Sequence, residues 1–260
     1  LTSFAAGVIG SLIFSFLTIT LRANQNVTGL ALTIFGTGVG QFVGELMRIK
    51  VGGNVTVSNA LKDAFANSVL PEFLQNIPVI GPILFSYNFF VYLGFAAAII
   101  MAYVMAKTRC GLSLCAVGES PATADAAGIN VTLYKYLSTC IGAGICGIGG
   151  LYYVLDYNQG IWATTGQIEA LGWLAVALVI FTTWKPLNAI WGAYLFGMLY
   201  WLYQFLPSLL GITMASHITD LVQMLPYVVT IIVLIVVSMR KKKENQPPAH
   251  LGLAYFREER

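Results

Sequence analysis

Groups that could do covalent or acid–base chemistry are few in this sequence, and they do not gather. The two histidines, His217 and His250, fall in a loop and in a polar tail, and no serine, threonine or cysteine has a base at an activating spacing. Cys110, Cys115, Cys140 and Cys146 form neither a C-x-x-C pair nor a Cys/His set with metal-ligand spacing. They read as small packing residues, and we expect no metal site, cofactor or disulfide framework. The phosphate-cradling pattern G-x-x-x-x-G-K-[ST] does not occur, so the chain is not expected to bind or hydrolyse ATP. An enzyme is therefore not expected.

What remains is a sparse set of polar and aromatic residues at the ends of apolar runs. Gln41 and Glu45 sit one turn apart, Asp156 ends a run, and Gln167 and Glu169 begin one. A charge at mid-membrane costs about 2.5–3.5 kcal/mol on insertion scales, so such groups belong near an interface or a polar cavity. Two readings stay open for them. One is solvation at the outer interface, helped at Glu169 by a helix N-terminus. The other is the lining of a polar solute route, made of Gln41, Glu45, Trp162, Gln167, Glu169 and Trp173. Trp162 and Trp173 could stack on a flat ring; interfacial belt positions are the plainer alternative.

The elements that must position these groups are membrane spans. Hydrophobic residues make up 57% of the chain and charged residues 10%, well below the roughly 25% charged of soluble domains. The apolar residues fall in seven segments, at about 1–21, 27–46, 87–106, 134–155, 167–183, 187–206 and 221–239. Runs of this length can cross a hydrocarbon core of roughly 30 Å as helices. The expectation is an all-α, polytopic transmembrane bundle over 1–240, with a polar tail over 241–260 that Pro247-Pro248 keeps unstructured. The chain opens at Leu1 inside an apolar run, with neither methionine nor a charged leader before it, and we expect an N-terminal part to be missing.

Small residues recur every four positions as Gly36, Gly40 and Gly44, and as Ser138, Gly142, Cys146 and Gly150. That spacing lets helix backbones approach closely in lipid. Packing is the direct reading; seams that slide during a transport cycle are its functional extension.

Charge fixes the orientation. With Arg240-Lys241-Lys242-Lys243 inside, Arg22, Lys107, Arg109, Lys135, Lys185, Arg257 and Arg260 are also inside. Only Arg48, Lys50 and Lys62 of the 14 basic residues then lie outside, as the positive-inside rule requires. The long inner loop is 107–133, and the outer loop is 47–86, with an amphipathic stretch near 57–70.

The inner loop has built-in punctuation. Ser120 suits a helix N-cap, Pro121 the first helical position, and Gly128 a C-cap. Between them Ala122-Thr123-Ala124-Asp125-Ala126-Ala127 favours helix. A helix of two turns is unstable alone and must pack on something. Its small side chains could enter a groove of a cytoplasmic partner, with Asp125 as an anchor; an ordinary capped connector is the alternative.

Gly111 through Ile129, centred on Ala124-Asp125-Ala126-Ala127-Gly128, resembles the coupling-loop signature of bacterial ABC importer permeases, in the branch that serves branched-chain amino acids, ribose and nucleosides. The resemblance continues through Lys135 to Trp184-Lys185-Pro186-Leu187, Gly192-Ala193 and Gly197. Around Leu21-Arg22-Ala23-Asn24-Gln25-Asn26-Val27-Thr28-Gly29-Leu30-Ala31-Leu32 it is similar to nucleoside-type members. It covers most of residues 1–240, and departs from the family in lacking the apolar segments and Gly/Asn motif that precede this region in other members.

The resemblance implies a permease subunit, with Gly118, Glu119, Ser120, Pro121, Ala124, Asp125, Ala126, Ala127 and Gly128 docking on a cytoplasmic ABC ATPase. It implies a second permease copy or a related one, an extracellular substrate-binding lipoprotein, a bacterial cytoplasmic membrane and a nucleoside as solute. A sugar such as ribose, or a branched-chain amino acid, is the alternative within the family. A secondary transporter or channel is the alternative outside it, disfavoured because ionisable residues near mid-membrane are almost absent. Nothing suggests a nucleic acid polymer as partner.

Overall fold

The computed structural model describes residues 1–58, 61–62, 65, 71–75, 84–162, 167–210, 224, 227–229, 231–232, 235, 239 and 246–256. These residues are helical with short connections: α1 Thr2–Ser15, α2 Gln25–Val51, α3 Glu72–Gln75, α4 Phe89–Lys107, α5 Arg109–Glu119, α6 Pro121–Ala126, α7 Val131–Tyr152, α8 Gln167–Phe181 and α9 Pro186–Leu210. π-Helical turns extend α1 over Phe16–Thr20 and α7 over Tyr153–Tyr157. The only extended pairing among the described residues is a single antiparallel bridge between Thr56 and Ile161.

Among the described residues, four helices are long and apolar enough to cross a membrane: Thr2–Thr20, Gln25–Val51, Phe89–Lys107 and Val131–Tyr157. Their large apolar side chains point outward, as Ile34, Phe35, Phe42, Ile99 and Ile100 do. In water that arrangement would be costly; in lipid the tails solvate it. The chain is a multi-pass membrane protein. The fifth expected segment is a helix whose apolar part, Ile168–Phe181, is shorter than a span. The seventh, 221–239, lies mostly outside the described residues, as do the basic cluster 240–243, Arg257, Arg260 and most of the amphipathic stretch 57–70.

The chain divides into two compact units. The first holds Leu1–Gly94, Arg109–Thr165 and Ala249–Arg260. Its spine is the pair α1–α7, which meet at backbone distance. A Cβ on Gly7 would collide with the Ala143 carbonyl, one on Gly147 with the Ser3 carbonyl, and one on Gly144 with the Phe4 ring. Buried Ser11, Ser15 and Thr18 follow Gly7 at helical spacing. Ser11 and Thr18 turn their hydroxyls back to the Val8 and Phe14 carbonyls, both at 2.8 Å, so their polarity is spent within the helix. At the end of α1 the hydroxyls of Thr20 and Tyr136 meet at 2.5 Å. Helix α2 starts at Asn24, whose side chain accepts from the Asn26 and Val27 amides, and ends at left-handed Gly52 with Arg48 and Lys50 in its last turn.

The second unit holds Phe95–Thr108 and Gly166–Pro248. In it α8 and α9 form a hairpin around the turn Thr182–Lys185, where Thr183 and Trp184 both take positive φ. Pro186 opens α9 at the position where its missing N–H costs nothing. Gly192 lies against Thr182 and Phe181, and the Phe181 and Phe196 rings meet edge-on at 5.2 Å. The Asn188 side-chain amide donates to the Thr182 carbonyl at 3.3 Å.

Candidate functional site

The connection between α4 and α7 is more helical than its sequence suggests. It begins with α5, Arg109–Glu119, rich in glycine, serine and cysteine and therefore poor in intrinsic propensity. Packing supplies what propensity lacks, since Gly111 and Val117 are buried while Leu112 and Glu119 face outward. Ser120 then breaks to an extended backbone, and Pro121 starts α6. The hydroxyl of Ser120 does not cap an amide as expected. It meets the Thr123 hydroxyl at 2.8 Å, because the extended residue turns its side chain toward its neighbour one turn on.

The end of α6 is closed by a Schellman motif. Gly128 takes φ +83. Its amide donates to the Asp125 carbonyl at 3.0 Å, and the Ile129 amide donates to the Ala124 carbonyl at 3.0 Å. This bond pair satisfies carbonyls that a helix end leaves open, and it brings Ile129 back against Ala124. Ala124, Val117 and Val131 form one buried cluster, with Ala116, Ile129, Tyr134 and Tyr255 packed around it. So the methyl of Ala124 ties α6 to both α5 and α7 in this cluster. Asn130 restarts the chain as α7 by accepting from the Leu133 amide at 3.1 Å.

Pro121 and Ala124 are buried, whereas Ala122, Thr123, Ala126, Ala127 and Gly128 are exposed. The outer face of α6 is thus a smooth surface of small groups. Asp125 is half-buried, and its carboxylate accepts from the Tyr255 hydroxyl at 3.1 Å. Gly118 and Ser120 are partly covered at the junction of α5 and α6.

Tyr255 corrects the expectation of an unstructured tail. Residues 249–252 form turns, and 253–256 continue without regular structure to lie against this loop. The His250 amide donates to the Gly118 carbonyl at 3.1 Å. The Lys135 ammonium stands 5.9 Å above the Tyr255 ring, and the Arg22 guanidinium 4.7 Å above the Phe256 ring. A cavity of about 380 Å³ opens beside them, lined among others by Arg22, Gln25, Asp125, Asn130, Lys135 and Tyr255. Reasoning on the sequence missed this group, although Leu253-Ala254-Tyr255-Phe256 is an apolar run in a polar tail and was a usable signal.

The outer-end candidates are placed as follows. Gly44 lies directly under the Trp162 indole, and no Cβ would fit there. Trp162 is fixed by its amide, which donates to the Val55 carbonyl at 2.9 Å, and by the Val57 amide on the Gly160 carbonyl at 2.8 Å. Its indole N–H is buried without a partner among the described residues. Gln41 and Glu45 are exposed on α2, and Glu45 pairs with Arg48 at 3.4 Å. In the second unit Gln167 and Glu169 stand in the first turn of α8, and Trp173 is exposed on it. The side chain of Gln167 is outside the described residues.

The small-residue stripes divide differently from expectation. Gly36 and Gly40 have open space where a Cβ would stand, as do Gly142 and Gly150; Ser138 and Cys146 are exposed. Within the chain the close approach runs through Gly7, Gly144 and Gly147, and through Gly44. The reason is register. On α7 the face that meets α1 passes through Gly144 and Gly147, and both the i+3 and the i+4 spacing occur along this glycine-rich helix.

Comparison with known proteins bears on the whole chain. The family described as Branched-chain amino acid transport system / permease component matches residues 1–234. A Haloferax volcanii protein provisionally named a glucose ABC transporter permease is 33% identical, covering 75% of the chain and 56% of its own length. The nucleoside ABC transporter permease protein of Lactococcus lactis is 32% identical, covering 88% and 69%. The guanosine ABC transporter permease protein of Bacillus subtilis is 33% identical, covering 76% and 60%. The chain thus spans between about half and about two thirds of the length of these relatives. No solved structure matches significantly.

Proposed function

The chain belongs to the family of permease components of branched-chain amino acid transport systems, and we propose that it forms the membrane path of an ATP-driven importer whose solute is a nucleoside. The observation that carries this reading is α6: a short helix, capped at its end, lying in the sequence between two spanning helices, with an exposed face of small side chains. Such a face admits the groove of a partner closely and leaves little side-chain entropy to lose on docking. The names of the Lactococcus and Bacillus relatives support the nucleoside. The name of the Haloferax relative supports a sugar as second reading.

In this reading α6 receives the movement of a cytoplasmic ABC ATPase. The chain pairs with a second permease, takes solute from an external binding lipoprotein, and alternates its opening between the two faces. ATP hydrolysis belongs to the partner. In this reading the chain has seven spanning segments, with 107–133 and the tail inside as the distribution of basic residues favours, and it lies in the cytoplasmic membrane of a bacterium. Gln41, Glu45 and Trp162 in the first unit, and Gln167, Glu169 and Trp173 in the second, are each proposed as residues that line the solute route.

Deleting 120–128, or Gly128→Arg, should abolish co-purification of the ATPase while the chain still inserts in the membrane. ATPase retained after the deletion would defeat the docking role. Ligand binding to the cognate external protein tests the solute: tight sugar or amino acid binding without nucleoside affinity would replace the nucleoside.

A further inference from the structure

We propose that Tyr255 is a positioning residue for α6, and that segment 249–256 is a strap that makes α6 move together with α5, α7 and the α1–α2 turn. The proposal rests on the reading of α6 as the ATPase-docking helix. It starts from how little α6 holds itself. The helix has six residues, of which only Pro121 and Ala124 are buried. A helix that short has no stability of its own. The methyl of Ala124 in the Val117–Val131 cluster is a small anchor for an element that must transmit force.

The strap supplies the missing ties, and each reaches a different element. The Tyr255 hydroxyl donates to the Asp125 carboxylate at 3.1 Å, directly on α6. Its ring packs on the Ala124 cluster and lies under the Lys135 ammonium of α7 at 5.9 Å. The Phe256 ring lies 4.7 Å under Arg22, in the turn between α1 and α2. The His250 amide takes the Gly118 carbonyl at 3.1 Å, a helix-end group of α5 that would otherwise have no intrahelical partner. The strap leaves Ala122, Thr123, Ala126 and Ala127 exposed. It therefore braces α6 from the side away from these residues and does not cover the face offered to the ATPase. A hydrogen bond to a charged acceptor is stronger than a neutral one, and Tyr255–Asp125 is such a bond at the point of load.

The distinguishing readout is coupling, measured on the full-length permease co-expressed with its ATPase and reconstituted with its binding protein, using guanosine as probe. Tyr255→Phe keeps the ring and removes only the hydroxyl. Tyr255→Phe and truncation after Pro248 should both co-purify the ATPase within about twofold of wild type. Both should lower guanosine imported per ATP hydrolysed by about fivefold or more, the size of an ordinary coupling term. Wild-type stoichiometry in both Tyr255→Phe and the truncation overturns the proposal. Loss of ATPase from Tyr255→Phe overturns it as well, since Tyr255 would then belong to the docking surface itself. Failure of the underlying reading is seen separately, as a wild-type permease that brings down no ATPase, and the proposal falls with it.

Discussion

The Ile129 amide reaches back over Gly128 to the Ala124 carbonyl at 3.0 Å, so the residue that ends α6 also fixes where α7 begins. Gly128 makes this possible at φ +83, with open space where a Cβ would stand. The penalty for a side chain there is therefore one of backbone conformation, about 1–2 kcal/mol for an ordinary L-residue. Gly128→Ala should speed hydrogen exchange over 120–130 by about tenfold, the equivalent of about 1.4 kcal/mol. Gly128→Asn should do so less, since asparagine tolerates this region. Equal exchange in all three proteins would show that the Schellman closure does not hold the loop.

The α1–α7 seam gives a graded prediction. At Gly7 and Gly147 an added methyl meets backbone carbonyls, which cannot yield without moving a helix. At Gly144 it meets the outer atoms of the Phe4 ring, which can turn aside. Gly7→Ala and Gly147→Ala should each destabilise by about 1–3 kcal/mol, the usual cost of overpacking. Gly144→Ala should cost less, and Gly142→Ala and Gly150→Ala should leave thermal unfolding in detergent unchanged. Equal losses at Gly142 and Gly147 would contradict the register described above.

How much of this could be read in the sequence follows from the physics of each signal. The loop helix was legible because Pro121 and Gly128 mark its ends by backbone chemistry that needs no tertiary context. Four of the seven expected spans were legible from apolar length alone. The seam was not: several glycine spacings coexist on α7, and only the partner helix decides which is used. Helix α5 was hidden because its glycines and cysteines argue against helix while burial of Val117 enforces it. The contact of Tyr255 with Asp125 joins residues 130 positions apart, across α7, α8 and α9, and no local pattern encodes such a pairing.

Trp162 on Gly44 fixes the C-terminal part of α2. An alanine Cβ at Gly44 would overlap the indole, which the paired backbones of 55–57 and 160–162 hold in place. Gly44→Ala should lower stability by about 1–3 kcal/mol, while Gly40→Ala, one turn earlier and unopposed, should be silent. Thermal unfolding of the two variants compares them directly. A silent Gly44→Ala would mean that the indole can leave its seat at little cost, as a group that moves with solute must.

Glu45 separates interface solvation from solute recognition. Its carboxylate pairs with Arg48 at 3.4 Å, and both side chains are more than half exposed. An exposed pair of this kind contributes about 0–1 kcal/mol, so Glu45→Gln should leave the unfolding temperature nearly unchanged. The neutral side chain keeps its length and its carbonyl oxygen, and removes only the charge. As part of the proposed lining, however, Glu45 should matter to uptake: Glu45→Gln should raise the half-saturating solute concentration by about tenfold with stability intact. Unchanged uptake kinetics would instead leave Glu45 as an interfacial group. Repeating the measurement with Arg48→Gln then tells the two roles apart. A route carboxylate keeps its effect on uptake when Arg48 is gone, whereas a carboxylate serving only as partner to Arg48 has none to keep.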